Sequence, residues 1–269
     1  MLMKQIAPTA SFVSHPVLSS LSTLLRVINM NVCIIGGTLE ALLLAIHYQK
    51  KGIVSIFEID AELGLPIAHP GRVLDPTLLD EYLTQDQIEF LKLSPNPDGW
   101  GCRWEWVMKH MTTVAASMGV NIYPRTRVLS MRQHGETTRV LTTKNERHQP
   151  TEFDADLIIS TRETSRKPGR LQHVVDESLV ISFTNQEYVQ WFGGTLLTLH
   201  HPLSSMPTPA LTLSRSDGQT EVWWQGECPW TPPTGYLETC SGSLPSSVDA
   251  LSFDGILHRV NDFVNSVDD

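Results

Sequence analysis

The stretch NVCIIGGTLEALLLAIHYQKKGIVSIFEIDAELGL, Asn31 to Leu65, constrains the fold more than any other part of the chain. Val32, Ile34 and Ile35, with Cys33 between them, make a short apolar run of the kind buried on both faces of a parallel sheet. Gly36-Gly37 follows at once. From Leu39 to Lys50 the residues Leu39, Leu42, Leu43 and Ile46 recur at helical spacing. Lys50 and Lys51 then suit the negative end of a helix, and Gly52 suits its cap. Ile53 to Phe57 is a second β-rich run, ended by Glu58. Strand, glycine turn, helix, strand and acid in that order build a pocket for the pyrophosphate and ribose of a dinucleotide.

The chemistry follows from geometry. A helix N-terminus presents unpaired N–H groups and partial positive charge, which suits a pyrophosphate. Glycine lets the backbone approach phosphate with no Cβ between them. Glu58 lies about 20 residues beyond Gly36, where an acid accepts the hydroxyls of an adenosine ribose. The fingerprint G-x-G-x-x-G/A maps onto Gly36-Gly37-Thr38-Leu39-Glu40-Ala41. Ala41 suits the last position, but Thr38 replaces the middle glycine and Glu40 adds an acid. Either the Thr38 hydroxyl binds a phosphate and the loop shifts, or the site is weakened or empty.

At this point the sequence resembles the FAD-dependent oxidoreductases of the glutathione-reductase-like superfamily, a group that includes aromatic-ring monooxygenases, amine oxidases and geranylgeranyl-reductase-like enzymes. Glu58 to Gly64 looks like the family's acid followed by a loop to a glycine. Gly71-Arg72 looks like the residues that line the flavin side. Gly101 to Trp106 leads a helix through Met118, and Gly119-Val120-Asn121-Ile122 then resembles the family's G-V-x-I segment. Arg127 to Met131 is similar to its strand over the adenine, and Phe153 to Thr161 to its A-D-x-x-I-x-A-T-G strand. The likeness covers residues 31 to 161 and fades beyond. For the closing segment that contacts the ribityl chain, Gly226-Glu227 is the one candidate.

The resemblance implies an α/β fold: a Rossmann-like FAD-binding domain with a parallel central sheet and a β-meander, plus a small antiparallel β cap. It divides the chain into an extension (1–30), an FAD-binding domain (31–170 and 228–269) and a substrate or cap region (171–227). It implies FAD held by Gly36, Gly37, Thr38 and Ala41, by Glu58 and Ile59, by Arg72 and Thr161 along the cofactor path, and by the backbone of Val128 at the adenine. It supplies no catalytic residue. A small-molecule substrate is implied. Enzymes of this family are usually longer, so a trimmed cap, a protein partner or a homo-oligomer all stay open.

The net charge of −9 disfavours nucleic acid and anionic membrane as main partners and suits a soluble, cytoplasmic protein. No run is long enough for a transmembrane helix. The four cysteines, Cys33, Cys102, Cys228 and Cys240, form no C-x-x-C and read as reduced and structural, with a Cys228–Cys240 bridge left open. Residues 1–30 contain Lys4 and Arg26 and no acid. They read as an upstream extension, a packed helix over Val17 to Val27, or an organelle presequence.

Further along, Leu63 to Pro76 is loop, Thr77 to Leu83 helical, and Thr84 with Gln87 a capping box for a helix to Leu93. Trp104 to Met118 is a helix. Val120–Tyr123, Arg127–Arg132 and Arg139–Thr143 read as the meander, and Asp156–Ser160 returns to the main sheet. Pro168 and Gly169 mark a boundary. Leu179–Thr184, Gly194–His200, Ala210–Arg215 and Thr220–Gln225 read as antiparallel strands with a hairpin turn at Asp217-Gly218, and Phe253–Val264 as a closing helix.

His200-His201, as strand neighbours, would point to opposite faces and suit ordinary packing better than one metal. His69 is a candidate acid, base or donor near the flavin, or a plain loop histidine. Arg103 is a candidate neighbour of the flavin ring or half of a surface ion pair. The groups Trp100, Trp104, Trp106 and Trp223, Trp224, Trp230 suit core packing, or the wall of a flavin or apolar pocket. No G-x-S-x-G elbow, Walker loop or H-E-x-x-H occurs. Three readings remain: an FAD-binding oxidoreductase-like protein, a flavoprotein-derived scaffold that has lost cofactor or catalysis, and an NAD(P)-binding Rossmann protein.

Overall fold

A computed structural model describes residues 30–65, 68–161, 171–183, 187–201 and 205–268. The expectations for the N-terminal extension and for a boundary at Pro168 and Gly169 lie outside the described residues.

The apolar run becomes β1 (Met30–Ile35), and the helical pattern becomes α1 (Leu39–Gln49). β2 (Gly52–Phe57), β6 (Asn121–Tyr123), β10 (Leu157–Thr161) and β11 (Ile181–Phe183) complete a five-stranded sheet in the order β11–β10–β1–β2–β6, with every pairing parallel. Alternation along β1 explains its composition. Val32 and Ile34 enter the core shared with α1, whereas Cys33 and Ile35 enter a second core with Phe57, Val128 and Ile158. α1 is buried nearly all round, because α3 (Trp104–Ser117) and α4 (Phe253–Asp268) flank it on its sheet.

The second core is roofed by an antiparallel meander of β7 (Val128–His134), β8 (Thr137–Thr142) and β9 (Glu152–Ala155). A capping box between Thr84 and Gln87 opens α2 (Gln85–Leu91). Three short strands, β3 (Arg72–Val73), β4 (Ser94–Asn96) and β5 (Gly99–Gly101), form a small sheet where the Pro and Gly content suggests only a break. The last sheet is antiparallel, in the order β13 (Leu211–Ser214), β14 (Gln219–Gln225), β12 (Tyr188–Leu197), β15 (Glu238–Pro245).

Three expectations are corrected. Residues 120–123 belong to the parallel sheet, not the meander, because β6 pairs with β2. β11 is a parallel neighbour of β10 rather than a cap strand, so 171–227 is not one antiparallel unit. β15 pairs with β12, which puts residues 238–245 in the antiparallel sheet rather than with the parallel one. Its sequence, ETCSGSLP, lacks the apolar alternation that marks a strand; the hydrogen-bonding edge of β12 recruits it.

Candidate functional site

β1 lies between β2 and β10 in the sheet, and a cavity lies between the C-terminal ends of β1 and β10. The glycine turn stands there. Gly36 has φ +105, and its N–H donates to Phe57 O at 3.0 Å. An added Cβ would lie 2.5 Å from Thr161 Oγ1. That hydroxyl donates to Ile35 O at 3.1 Å, so Thr161 closes the tip of β10 against β1. At Gly37 a Cβ would meet Glu58 Oε2 at 2.6 Å and Leu63 Cγ at 3.0 Å. The acid therefore does turn back onto the glycine loop.

Glu58 is held firmly. Its N–H donates to Tyr123 O at 3.0 Å, its carbonyl accepts from Thr126 N at 2.7 Å, and Oε1 accepts from Asp60 N at 2.9 Å. Ile59 beside it is partly exposed, and Ala41 is fully buried. The Thr38 question resolves locally: Thr38 is the N-cap of α1, and its Oγ1 accepts from Ala41 N at 3.3 Å. Among the described residues the N–H groups of Leu39 and Glu40 meet no protein acceptor, so the positive end of α1 keeps two open donors. The Glu40 carboxylate is neutralised by Arg259, whose Nη2 donates to Oε1 at 2.8 Å; Arg259 Nη1 donates to Ala250 O at 2.6 Å. This removes the charge objection at the turn.

Two expected cofactor residues are engaged elsewhere. Arg72 is buried, with Nε donating to Asp98 O at 2.8 Å and Nη1 to Val248 O at 2.9 Å and Asp249 Oδ1 at 3.2 Å. It fastens β3 to the segment before α4. Val128 is buried, and both of its backbone groups are taken by the chain itself: its N–H donates to His173 Nδ1 at 3.0 Å and its carbonyl accepts from Val174 N at 3.0 Å. Gly226-Glu227 lies exposed at the end of β14 and carries no closing contact at the glycine turn.

The loop from the glycine turn leads to a second feature. Gly64 N donates to Gly37 O at 2.6 Å, and the next residue, Leu65, lines a cavity of about 370 Å³ between α3 and the antiparallel sheet. His69 and Trp104 form one wall, with rings stacked at 4.2 Å, and Trp223 and Cys240 belong to the other. One tryptophan from each sequence cluster thus faces this space. Burial pushes the His69 imidazole down to about 4, against the pull of the Glu40 carboxylate, so the ring is neutral at neutral pH. Its Nδ1 lies 3.0 Å from Pro70 O and donates to it.

Arg103, at the N-cap of α3, pairs with Glu105 at 2.7 Å and lies over the Trp106 ring at 5.6 Å. The Cys240 thiol is pushed up to about 12 by burial, as is that of Cys33. All four cysteines are free, and neither of these two is a thiolate at neutral pH.

Glu221 is the important residue that the sequence reading missed. It accepts from Gly71 N at 3.2 Å, Arg215 Nη1 at 2.8 Å and Trp223 Nε1 at 3.2 Å, so it fastens the cap sheet to the loop beside His69. Burial raises its pKa against the opposing effect of the Arg215 guanidinium. A signal existed: Glu221 stands two residues from Trp223 on one strand and so shares its face.

His200 ends a 3₁₀ turn and His201 follows it, so they are not strand neighbours. Among the described residues no three His, Cys, Asp or Glu side chains gather as a metal site, and no helix is long and apolar enough to cross a membrane.

No known family profile matches the chain, and no curated protein matches it by sequence. Solved structures do. A geranylgeranyl bacteriochlorophyll reductase-like protein from Thermoplasma acidophilum matches with TM-score 0.54 and 12% identity, over 81% of this chain and 67% of that one. The protein AlpK matches with TM-score 0.55 and 13% identity, over 88% and 61%. FqzB matches with TM-score 0.51 and 13% identity, over 80% and 63%. The chain spans about three fifths to two thirds of the lengths of these proteins. The chain shares the fold of these proteins.

Proposed function

We propose that this chain is an FAD-binding, oxidoreductase-like flavoprotein acting on a small molecule held in the cavity beside Trp104 and Trp223. The observation that carries the reading is the continuity of two features. The Gly37 turn, with Glu58 packed on it and the open N–H groups of Leu39 and Glu40 beyond, connects through Gly64 and Leu65 to a cavity walled by His69 and Trp104. An elongated dinucleotide has that form: an anionic middle, a ribose on one side and a flat ring at the far end.

In this reading Gly36 to Thr38 and the first turn of α1 hold the diphosphate, Arg259 keeps Glu40 from repelling it, and Glu58 takes the ribose with Ile59 alongside. Thr161 borders the turn. When bound, the flavin supplies the electron chemistry. The protein's share is positioning and exclusion of water. Neutral His69 stacked on Trp104 gives one flat wall, Trp223 lies in the other, charged side chains including Arg103, Glu105 and Glu238 complete the lining, and Glu221 ties the antiparallel sheet to the 68–72 loop.

An absorption spectrum of the purified protein, with mass spectrometry of any released ligand, tests the reading. The flavin band in the visible and released FAD are expected. A colourless protein that takes up no added FAD would refute it. The scaffold reading draws its support from Val128, whose backbone edge the chain itself occupies.

A further inference from the structure

We propose that residues 171–175 act as a built-in occupant of the adenine edge, so that a dinucleotide binds fully only when this segment lets go of Val128. The inference rests on the flavin reading above together with the expectation, carried by the sequence resemblance, that the backbone of Val128 receives the adenine.

The contact has the chemistry of a nucleobase. Val128 presents an N–H and a carbonyl side by side. Facing them are an aromatic ring nitrogen that accepts, His173 Nδ1 at 3.0 Å, and a donor, Val174 N, at 3.0 Å. Adenine offers the same pair: a ring nitrogen that accepts and an exocyclic amine that donates. A further bond, from Arg127 Nε to Gln172 O at 2.6 Å, holds the segment in register. Both partners of Val128 must leave before a base can approach, because each polar group of its backbone already has its bond.

The segment is a cover and not a core element. Leu171 is 63% exposed and Val174 45% exposed, so these apolar side chains gain little from the closed position. Val175, with Leu179 and Val180 further on, is what packs against the core that contains Ile35, Phe57 and Val128. A cavity of about 260 Å³ between the ends of β1 and β10 is lined in part by this segment, through Gln172, His173 and Val175, together with Ile35 and Thr161. An exposed segment with few buried apolar contacts belongs to the low-stability end of a fold and can open without unfolding the rest. Its closed population lowers the apparent affinity for any ligand that needs the same edge.

The test uses the full chain, titrated calorimetrically with ADP, and with FMN as a ligand that lacks adenine. His173→Ala removes the acceptor, and Val174→Pro removes the donor. Each variant should bind ADP about tenfold more tightly than the parent, with FMN affinity unchanged. Equal ADP affinity in parent and variants overturns the proposal, as does an equal gain for FMN. Should the variants fail to fold, hydrogen exchange on the parent decides: saturating ADP should expose the Val174 amide while the Val128 amide stays protected, and unchanged protection of Val174 overturns the proposal. The two readings fail separately. A yellow parent with no gain in the variants sinks the cover and leaves the flavin. A colourless parent that takes up no FAD, with variants that gain ADP, sinks the resident flavin and supports the cover.

Discussion

Arg259 Nη2 donates to Glu40 Oε1 at 2.8 Å, joining the closing helix to the first turn of α1 across 219 positions of sequence. Both side chains are largely buried, 10% and 16% exposed, and Glu40 is the acid in that turn. The pair answers a local conflict. An acid at a helix N-terminus is favourable for the helix but unfavourable for an anionic ligand at the same place. Arg259→Met should cost about 2–3 kcal/mol of stability, because it leaves a shielded carboxylate without its partner. Adding Glu40→Gln should recover more than half of the loss. Urea denaturation of the two single variants and the double measures this. A loss under about 0.5 kcal/mol for Arg259→Met would mean that solvent already screens the pair.

Adjacent glycines should respond differently to alanine. Gly36 combines a positive φ with a Cβ position 2.5 Å from Thr161 Oγ1 and 3.1 Å from Thr161 O, so Gly36→Ala strains backbone against backbone. We expect a loss of about 2–3 kcal/mol. At Gly37 the nearest obstacle is Glu58 Oε2, followed by Glu58 Cγ and Leu63 Cγ at 3.0 Å, all of them side-chain and not backbone atoms. Gly37→Ala should cost about 1 kcal/mol or less in thermal or urea unfolding, yet weaken ADP binding about tenfold by displacing the carboxylate from the turn. Equal loss of stability in the two variants would show that Glu58 is too rigidly held to move.

The fold is legible where periodicity and local chemistry agree. β1, α1, β2, α2 and α3 follow from apolar spacing and from caps that can be named residue by residue, such as Thr84 with Gln87. β6 and β11 are legible as strands but not in their sheet, and β15 is not legible at all, because a short strand carries no mark of its partner. Parallel pairing of Ile181–Phe183 with β10 is decided by which sheet edge is available, not by the three residues themselves. The glycine turn and Glu58 are legible for the same local reason as α1. The contacts of Glu221 and Arg259 and the bond from Val128 to His173 are not, since each joins elements far apart in sequence. The bonds of Arg72 to Asp98 and Val248 are likewise contacts between distant elements that no local pattern shows.

Thr38 separates capping from crowding. Its hydroxyl caps α1 rather than standing over the turn, so removing it should not open the site. Thr38→Ala should lose about 1 kcal/mol and Thr38→Gly only a few tenths. FAD or ADP affinity of Thr38→Gly, measured by titration, should be equal to or lower than that of the parent. A clear gain in affinity would show that the methyl group crowds the ligand despite the cap.

His69 gives the chain a pH dependence of definite sign. Its folded pKa is about 4, against an ordinary 6.5, because burial next to Trp104 disfavours the cation. Between those values the unfolded chain binds the proton that the folded chain refuses. The contribution of this ring to stability is therefore complete above pH 6.5 and is lost as pH falls toward about 4. The shift sets a ceiling of about 3 kcal/mol, and partial solvent access at this position leaves about 2 as the expected loss. Other groups also titrate in acid, among them Asp75, Asp154 and Asp176, whose hydrogen bonds hold them below the usual carboxylate value. The informative quantity is thus the difference between the parent and His69→Gln, followed by urea denaturation from pH 7 to pH 4. The parent should lose about 2 kcal/mol more than the variant over that range. Parallel pH profiles would show that the imidazole reaches water in the folded protein and that the wall of the cavity is open.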